Sequence, residues 1–155
     1  MVLNRMRCRR RQRGAAAIEF ALLFILFFAL FYAIIAYSLA MLLMQGLTQA
    51  AEEGVRAAIA VNPLAYGSDA AYQDAVEATA RARAASALSW LPTQAHQQVV
   101  GANNINAGLA GNLITVTVTY PDYASNGLVP TLTLPFIGDV PRVPTDLVGS
   151  ASLQI

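Results

Sequence analysis

The sequence of 155 residues contains no lysine, one histidine and one cysteine. The one cysteine, Cys8, lies near the N-terminus. Because there is no second cysteine, the chain cannot form an internal disulfide bond. His96 stands apart from other metal-ligating residues, and no cluster has the spacing of a metal site. The acids Asp122, Asp139 and Asp146 are scattered, and no glycine-rich loop is followed by a lysine. We therefore expect no metal, no cofactor and no enzymatic activity.

Charge is sparse and unevenly distributed. Charged residues make up 12% of the chain, about half the usual share, whereas hydrophobic residues make up 56%. The rest of the chain beyond position 13 carries four arginines and all nine acids, whereas the first thirteen positions hold six arginines and no acid. These six are Arg5, Arg7, Arg9, Arg10, Arg11 and Arg13. A basic N-terminal segment that is not followed by a further basic patch is typical of a signal that orients a chain in a membrane. It argues against nucleic-acid binding.

A run of 25 residues from Phe20 to Met44 contains no charged side chain. As a helix this run would be about 37 Å long. That length exceeds the roughly 30 Å of the hydrocarbon core, so we predict one tilted transmembrane span in lipid. A cleaved secretory signal is the alternative, with Ser38-Leu39-Ala40 resembling a cleavage site. The apolar region of a secretory signal is about 7–15 residues long. The run observed here is longer, so this alternative is the weaker one.

The arginine-rich N-terminal segment predicts the orientation of the span. Positive residues remain on the cytoplasmic side, which places the N-terminus in the cytoplasm and the chain after Gln45 in the bacterial periplasm. We therefore predict a single-pass protein of the inner membrane. Cys8 would face the cytoplasm, where a neutral thiol is favoured over a palmitoylation site.

Four alanines in the span repeat at intervals of four, three and four. They are Ala29, Ala33, Ala36 and Ala40. A stripe of small residues lets transmembrane helices approach closely, so this face is a candidate for association with a second helix. The alternative is a chance pattern, since alanine is common in such helices.

The helix is predicted to continue beyond the membrane. Leu47, Ala51 and Val55 fall on one face, and Asn62-Pro63 ends the helix. We predict a basic leader over 1–14, a long helix over 15–61 and a periplasmic head over 62–155.

The head combines helical and strand patterns. Ser68 or Asp69 caps a second helix predicted over 69–90. Alternating residues predict a strand over 113–123, with one face buried. Further strands are predicted at 98–102, 131–135 and 147–155, with loops at 103–111 and 135–144. The fold class is therefore α+β, with an antiparallel sheet.

A carboxylate lies at the cytoplasmic entry to the span, in the sequence Arg13-Gly14-Ala15-Ala16-Ala17-Ile18-Glu19-Phe20. An acid inside a membrane is costly and often functional. Glu19 could reach toward the lipid headgroups or the positive end of the helix. The alternative is a charge pair with a neighbouring chain.

This junction resembles the prepilin-type leader of type IV pilins. With the later segment Gln49–Ala58 (QAAEEGVRAA), it resembles more closely the TadE-like family of the tight-adherence (Flp, type IVb) pilus system. The resemblance covers about residues 13–59, roughly a third of the chain. Phe20 departs from the family, in which tyrosine often follows the glutamate.

The resemblance implies a minor pseudopilin that acts by assembly. A prepilin peptidase would cut between Gly14 and Ala15, and Glu19 of one subunit would neutralise the new Ala15 ammonium of its neighbour. The fold would be a pilin-like lollipop, in which the second half of the long helix is embedded in the head. Other pilins or pseudopilins and the assembly platform would be its partners.

Two other functions remain open from the sequence. The first is an unprocessed single-span envelope protein with a periplasmic binding or scaffolding domain. The second is a secreted protein cut near Ala40.

Overall fold

The computed structural model describes residues 12–134 and 138–154. The chain divides into two compact units, one ending at Ile35 and the other beginning at Ala36. A long apolar helix at the N-terminus is followed by a small domain of helices and antiparallel strands. The predicted α+β class is confirmed.

Helix α1 (Gln12–Ile59) runs for 48 residues. It contains no proline and is rich in alanine and leucine, both strong helix formers. It ends two residues before the predicted boundary at 61. Beyond it, the Asn62 side chain accepts a hydrogen bond from the backbone N–H of Leu64 at 3.0 Å and caps a short 3₁₀ turn, Pro63–Ala65. The Asn-Pro pair therefore marks the end of the helix, as predicted.

Helix α2 (Asp69–Ala87) begins at the predicted cap. The Ser68 hydroxyl accepts a hydrogen bond from the backbone N–H of Ala71 at 3.3 Å, which satisfies one of the free donors of the first turn. The helix ends three residues earlier than predicted. Its buried face consists of Val76, Ala80 and Ala84, so small residues allow close packing on this side.

The main sheet has three strands in the order β1 (Ile105–Ala110), β2 (Leu113–Tyr120) and β5 (Leu147–Gln154). Both neighbouring pairs are antiparallel. The predicted strands at 113–123 and 147–155 are thus confirmed, although Pro121 ends β2 early and residue 155 lies outside the described residues. The buried face of β2 is the predicted one: Ile114, Val116, Val118 and Tyr120.

The predicted strand at 98–102 is wrong. The segment forms a helical turn, α3 (Thr93–His96), followed by a π-helical turn, Gln97–Gly101. The partner of β2 is instead β1, within the segment predicted as an Asn- and Gly-rich loop. Residues of β1 alternate between buried and exposed, and Gly111, at φ +61°, supplies the tight turn into β2.

A second, two-stranded sheet pairs β3 (Leu132–Leu134) with β4 (Gly138–Val140) in antiparallel order. The prediction of a strand at 131–135 is confirmed by β3. The prediction of a loop over 135–144 is wrong in part, because β4 lies within it. β4 has three residues, each paired with one residue of β3. A strand this short does not show an alternating pattern in the sequence. A four-residue helix, α4 (Tyr123–Asn126), precedes this hairpin.

The hydrophobic core lies between the C-terminal part of α1, helix α2 and the main sheet. It is lined by the buried residues Leu43, Leu47, Ala51, Val55, Val76, Ala80, Ala84, Leu88, Val99, Ile114, Val116 and Val118. Two glycines allow α1 to approach the backbone of neighbouring elements closely. A Cβ on Gly54 would lie 2.8 Å from the Ala80 carbonyl oxygen, and one on Gly149 of β5 would overlap the α1 backbone at Leu47 and Thr48. The apolar helix is therefore packed at backbone distance against the sheet.

Side chains of α2 cover the outer edge of β1. Arg81 donates to the carbonyl oxygen of Ala107 at 3.0 Å, and Gln73 donates to that of Leu109 at 3.0 Å. Glu77 accepts from the backbone N–H of Leu109 at 3.2 Å. Glu77 also pairs with Arg81, four residues further along α2, at 2.8 Å, and the pair helps protect a sheet edge.

We expect Gly149→Ala to lower the free energy of unfolding by about 1–3 kcal/mol, because the added methyl group must displace the α1 backbone. Gly108→Ala is the matched control, since it lies in the same sheet with no atom near the added Cβ. Its effect should stay within about 1 kcal/mol. Urea unfolding of the full chain in detergent would measure both. Equal losses would contradict the close packing at Gly149.

Candidate functional site

The predicted processing residues lie at the start of α1. Gly14 and Ala15 are exposed, and a Cβ on Gly14 would have no neighbouring atom within 4 Å. The first N–H groups of a helix have no intrahelical acceptor, and glycine disfavours helix by about 1 kcal/mol relative to alanine. This turn can therefore open into an extended conformation at little cost.

Glu19 lies one turn beyond Ala15 on the same helix. Its side chain is exposed, and across residues 12–134 and 138–154 it makes no ion pair or hydrogen bond. Its neighbours Ile18 and Phe20 are also exposed, at 66% and 69%. An acid among apolar side chains requires a partner once lipid surrounds it.

An aromatic ladder follows on the same part of α1. Phe20, Phe24, Phe28 and Tyr32 are spaced four residues apart, with successive ring centroids 6.0, 6.2 and 6.4 Å apart. We did not predict this ladder, although its four-residue spacing is visible in the sequence. The three phenylalanine rings are largely exposed, so the ladder offers a broad apolar surface to lipid or to another helix.

The alanine stripe is divided between the two units. Ala29 and Ala33 belong to the first unit. Ala36 and Ala40 belong to the second, where both are buried and Ala40 is part of the core. Ala29 is buried as well, at 9% exposure, so three of the four alanines are already covered within the chain, and the association role of the stripe stays a prediction.

Five of the six predicted topology residues lie outside the described residues. They are Arg5, Arg7, Arg9, Arg10 and Arg11, and the side chain of Arg13 lies outside as well. Their role stays a prediction. In the described part of the chain, α1 is the one helix long and apolar enough to cross a membrane.

The head has a polar cleft beside a pair of buried tyrosines. The Tyr120 hydroxyl donates to the carbonyl oxygen of Asn126, and the rings of Tyr120 and Tyr123 meet edge to face at 5.8 Å. The cleft, of about 340 Å³, is lined by Gln94, Gln97, Gln98, Tyr120, Ser125, Asn126 and Gly127. It offers hydrogen bonds to a neutral polar group. Burial, and secondarily Tyr123, raises the pKa of Tyr120, so its hydroxyl stays protonated at neutral pH.

The described residues show no place for a metal ion. No group of three or more His, Cys, Asp or Glu side chains comes together within residues 12–134 and 138–154. Of the head arginines, Arg81 pairs with Glu77 and Arg83 pairs with Glu53 of α1 at 3.0 Å. These contacts hold elements of the head together.

The exposed Gly14 turn, the exposed acid Glu19 and the continuous helix coincide with a known sequence family. The TadE-like protein family model matches residues 14–56. This TadE-like segment lies entirely within α1 and covers less than a third of the chain. The suspected resemblance is confirmed, and it supports a membrane-anchored protein associated with the tight-adherence pilus. No curated protein and no solved structure matches the chain.

We expect the head to lose stability at alkaline pH through Tyr120. Because its pKa lies above the ordinary 10.0, the folded state holds the proton more tightly than the unfolded state. The contribution is complete below pH 10 and is lost as pH rises through the folded-state value. Unfolding free energies of the wild type should therefore fall more steeply above pH 10 than those of Tyr120→Phe. Parallel curves would contradict this prediction.

Proposed function

We propose that the protein is a minor pseudopilin or assembly protein of a tight-adherence (Flp, type IVb) pilus in the bacterial inner membrane. The observation that carries this proposal is the TadE-like match, which begins at Gly14 and follows one uninterrupted helix to Arg56. The protein acts by helix packing and partner contacts, without catalysis.

A prepilin peptidase is the first proposed partner. It removes residues 1–14 by cutting between Gly14 and Ala15, at the cytoplasmic end of the span. The exposure of both residues and the low helix propensity of glycine support access to this bond. Cleavage removes the arginines that hold the N-terminus in the cytoplasm, so the shortened helix is released for assembly.

Glu19 is proposed to set the register between neighbouring helices. Cleavage gives Ala15 a positive α-ammonium, and the Glu19 carboxylate of an adjacent subunit neutralises it. A buried charge pair is stable only when both partners are present and aligned, so one axial offset is favoured over the others. Glu19 is suited to this role because it has no partner in the described part of its own chain.

Packing between helices is proposed to use the first unit. Ala29 and Ala33 allow a neighbouring backbone to approach, and the exposed phenylalanine rings fill the remaining surface. The head, on the periplasmic side, then presents its surface to other pilins or pseudopilins and to the assembly platform.

Intact-mass analysis of the membrane-associated protein tests the processing step. In cells with the prepilin peptidase, we expect a chain that begins at Ala15. In matched cells without it, the same chain should still begin at Met1. A chain that begins at Met1 in both would contradict the pseudopilin role and would leave an unprocessed envelope protein.

Glu19→Ala tests the charge pair. We expect normal processing but at least about a tenfold loss of crosslinked multimers and pili, because an unpaired ammonium in the membrane costs several kcal/mol. Glu52→Ala is the matched control, since Glu52 is an exposed acid of the same helix beyond the apolar run. Assembly of Glu19→Ala at the level of the control would rule out the pairing role.

A further inference from the structure

The surroundings of α1 change near Tyr37. The preceding side chains Phe31 and Ile34 are apolar and more than half exposed. Ala36, by contrast, is fully buried, and Ala40 and Leu43 belong to the core of the head. The head therefore covers one face of α1 well before the apolar run ends at Met44.

A hydrogen bond fixes the position of the hairpin against this part of the helix. The backbone N–H of Arg142 donates to the Tyr37 hydroxyl at 3.0 Å. Arg142 follows β4 by two residues, so the β3–β4 hairpin ends beside Tyr37. Tyr37 lies seven residues before Met44, which is about 10 Å along the helix.

Charged side chains on β4 and just after it limit how deep this part of the head can lie. Arg142 and Asp139 are both exposed, and Asp139 accepts a hydrogen bond from the Thr133 hydroxyl at 2.6 Å. Charges of this kind are expensive in hydrocarbon but are tolerated among lipid headgroups. A tyrosine such as Tyr37 also prefers the membrane interface. The hairpin and Tyr37 therefore belong at the boundary of the hydrocarbon.

We propose that the head rests on the periplasmic face of the bilayer at Arg142 and the strands β3 and β4, and that the hydrocarbon ends at Tyr37. The partner of this surface is the lipid headgroup layer. The inference rests on the proposed function only for the membrane insertion of α1, and it is independent of the pilus role.

The length of the helix agrees with this boundary. A core of about 30 Å needs about 20 helical residues, which extend from Ile18 to Tyr37. The next apolar residues, up to about Met41, then lie beside the head at headgroup level, and Leu42 to Met44 lie beside the head beyond that layer. The charge-free run is longer than a bilayer requires because the head covers one face of its end.

Trp90 provides a second depth marker. Its ring lies on the α1 backbone at Gly46, where an added Cβ would be 2.5 Å from the ring atom Cζ2. Trp90 itself is 48% exposed. Gly46 is nine residues beyond Tyr37, or about 13 Å along the helix. The interfacial layer is about 5–7 Å thick on each side, so Trp90 should stand outside it.

Tryptophan fluorescence in vesicles tests the proposal on the full chain. Trp90 is the only tryptophan in the sequence, so the wild type reports on the level of Gly46 directly. A Trp90→Phe, Arg142→Trp double variant moves the reporter to the hairpin and keeps the backbone N–H that bonds Tyr37. Both chains are inserted into phosphatidylcholine vesicles with and without bromine on the upper part of the acyl chains.

We expect bromine to reduce the emission of the hairpin tryptophan about twofold and to leave that of Trp90 nearly unchanged, because quenching by bromine requires close contact. Quenching of both would place the hydrocarbon edge near Met44 and overturn the boundary at Tyr37. Quenching of neither, or of Trp90 alone, would overturn the docking of the hairpin. If the Arg142 variant does not fold, Trp90→Phe with Thr133→Trp provides the same test at an exposed position of β3.

Vesicle flotation separates this proposal from the pilus role. A chain that does not float with the vesicles contradicts membrane insertion, and with it the docking of the head. A chain that floats and shows the expected quenching, yet keeps its leader in cells with the peptidase, retains the docking and loses only the pseudopilin role.

Discussion

The close packing of α1 against its own domain is the constraint on which the second unit depends. An apolar helix and a water-soluble sheet have little reason to associate unless apolar area is removed from water at their contact. Gly54 and Gly149 bring the backbones together at this contact, and small residues of α2 complete it. In the first unit, by contrast, the large apolar side chains Phe24, Phe28 and Phe31 are about half exposed.

The sequence predicted those elements whose patterns are local and strong. The charge-free run defined α1, Ser68 marked the start of α2, and alternation over 113–120 identified the buried face of β2. The edge strand β1 was missed because asparagine, glycine and alanine have weak strand propensity. Its stability comes from pairing with β2 and from side chains of α2, and both are long-range contacts.

The candidate site shows the same division. The leader and Glu19 were singled out from local charge and from the TadE-like resemblance, and the alanine stripe from its spacing; their roles stay predictions. The burial of Ala36 and Ala40 does not follow, since the sequence gives no sign of which alanines the head covers. Likewise, nothing in the sequence places Trp90 beside Gly46 or Arg142 beside Tyr37. These contacts join residues 44 and 105 positions apart, and only the folded chain brings them together.

The two inner glycines of α1 have a mechanical consequence. Glycine within a helix usually marks a point where the rod can bend. Here Gly46 lies beneath the indole of Trp90 and Gly54 beneath the backbone of Ala80, so neither position is free to flex. Close packing at both glycines therefore opposes a kink between 36 and 59, and this part of α1 belongs to the same compact unit as the sheet.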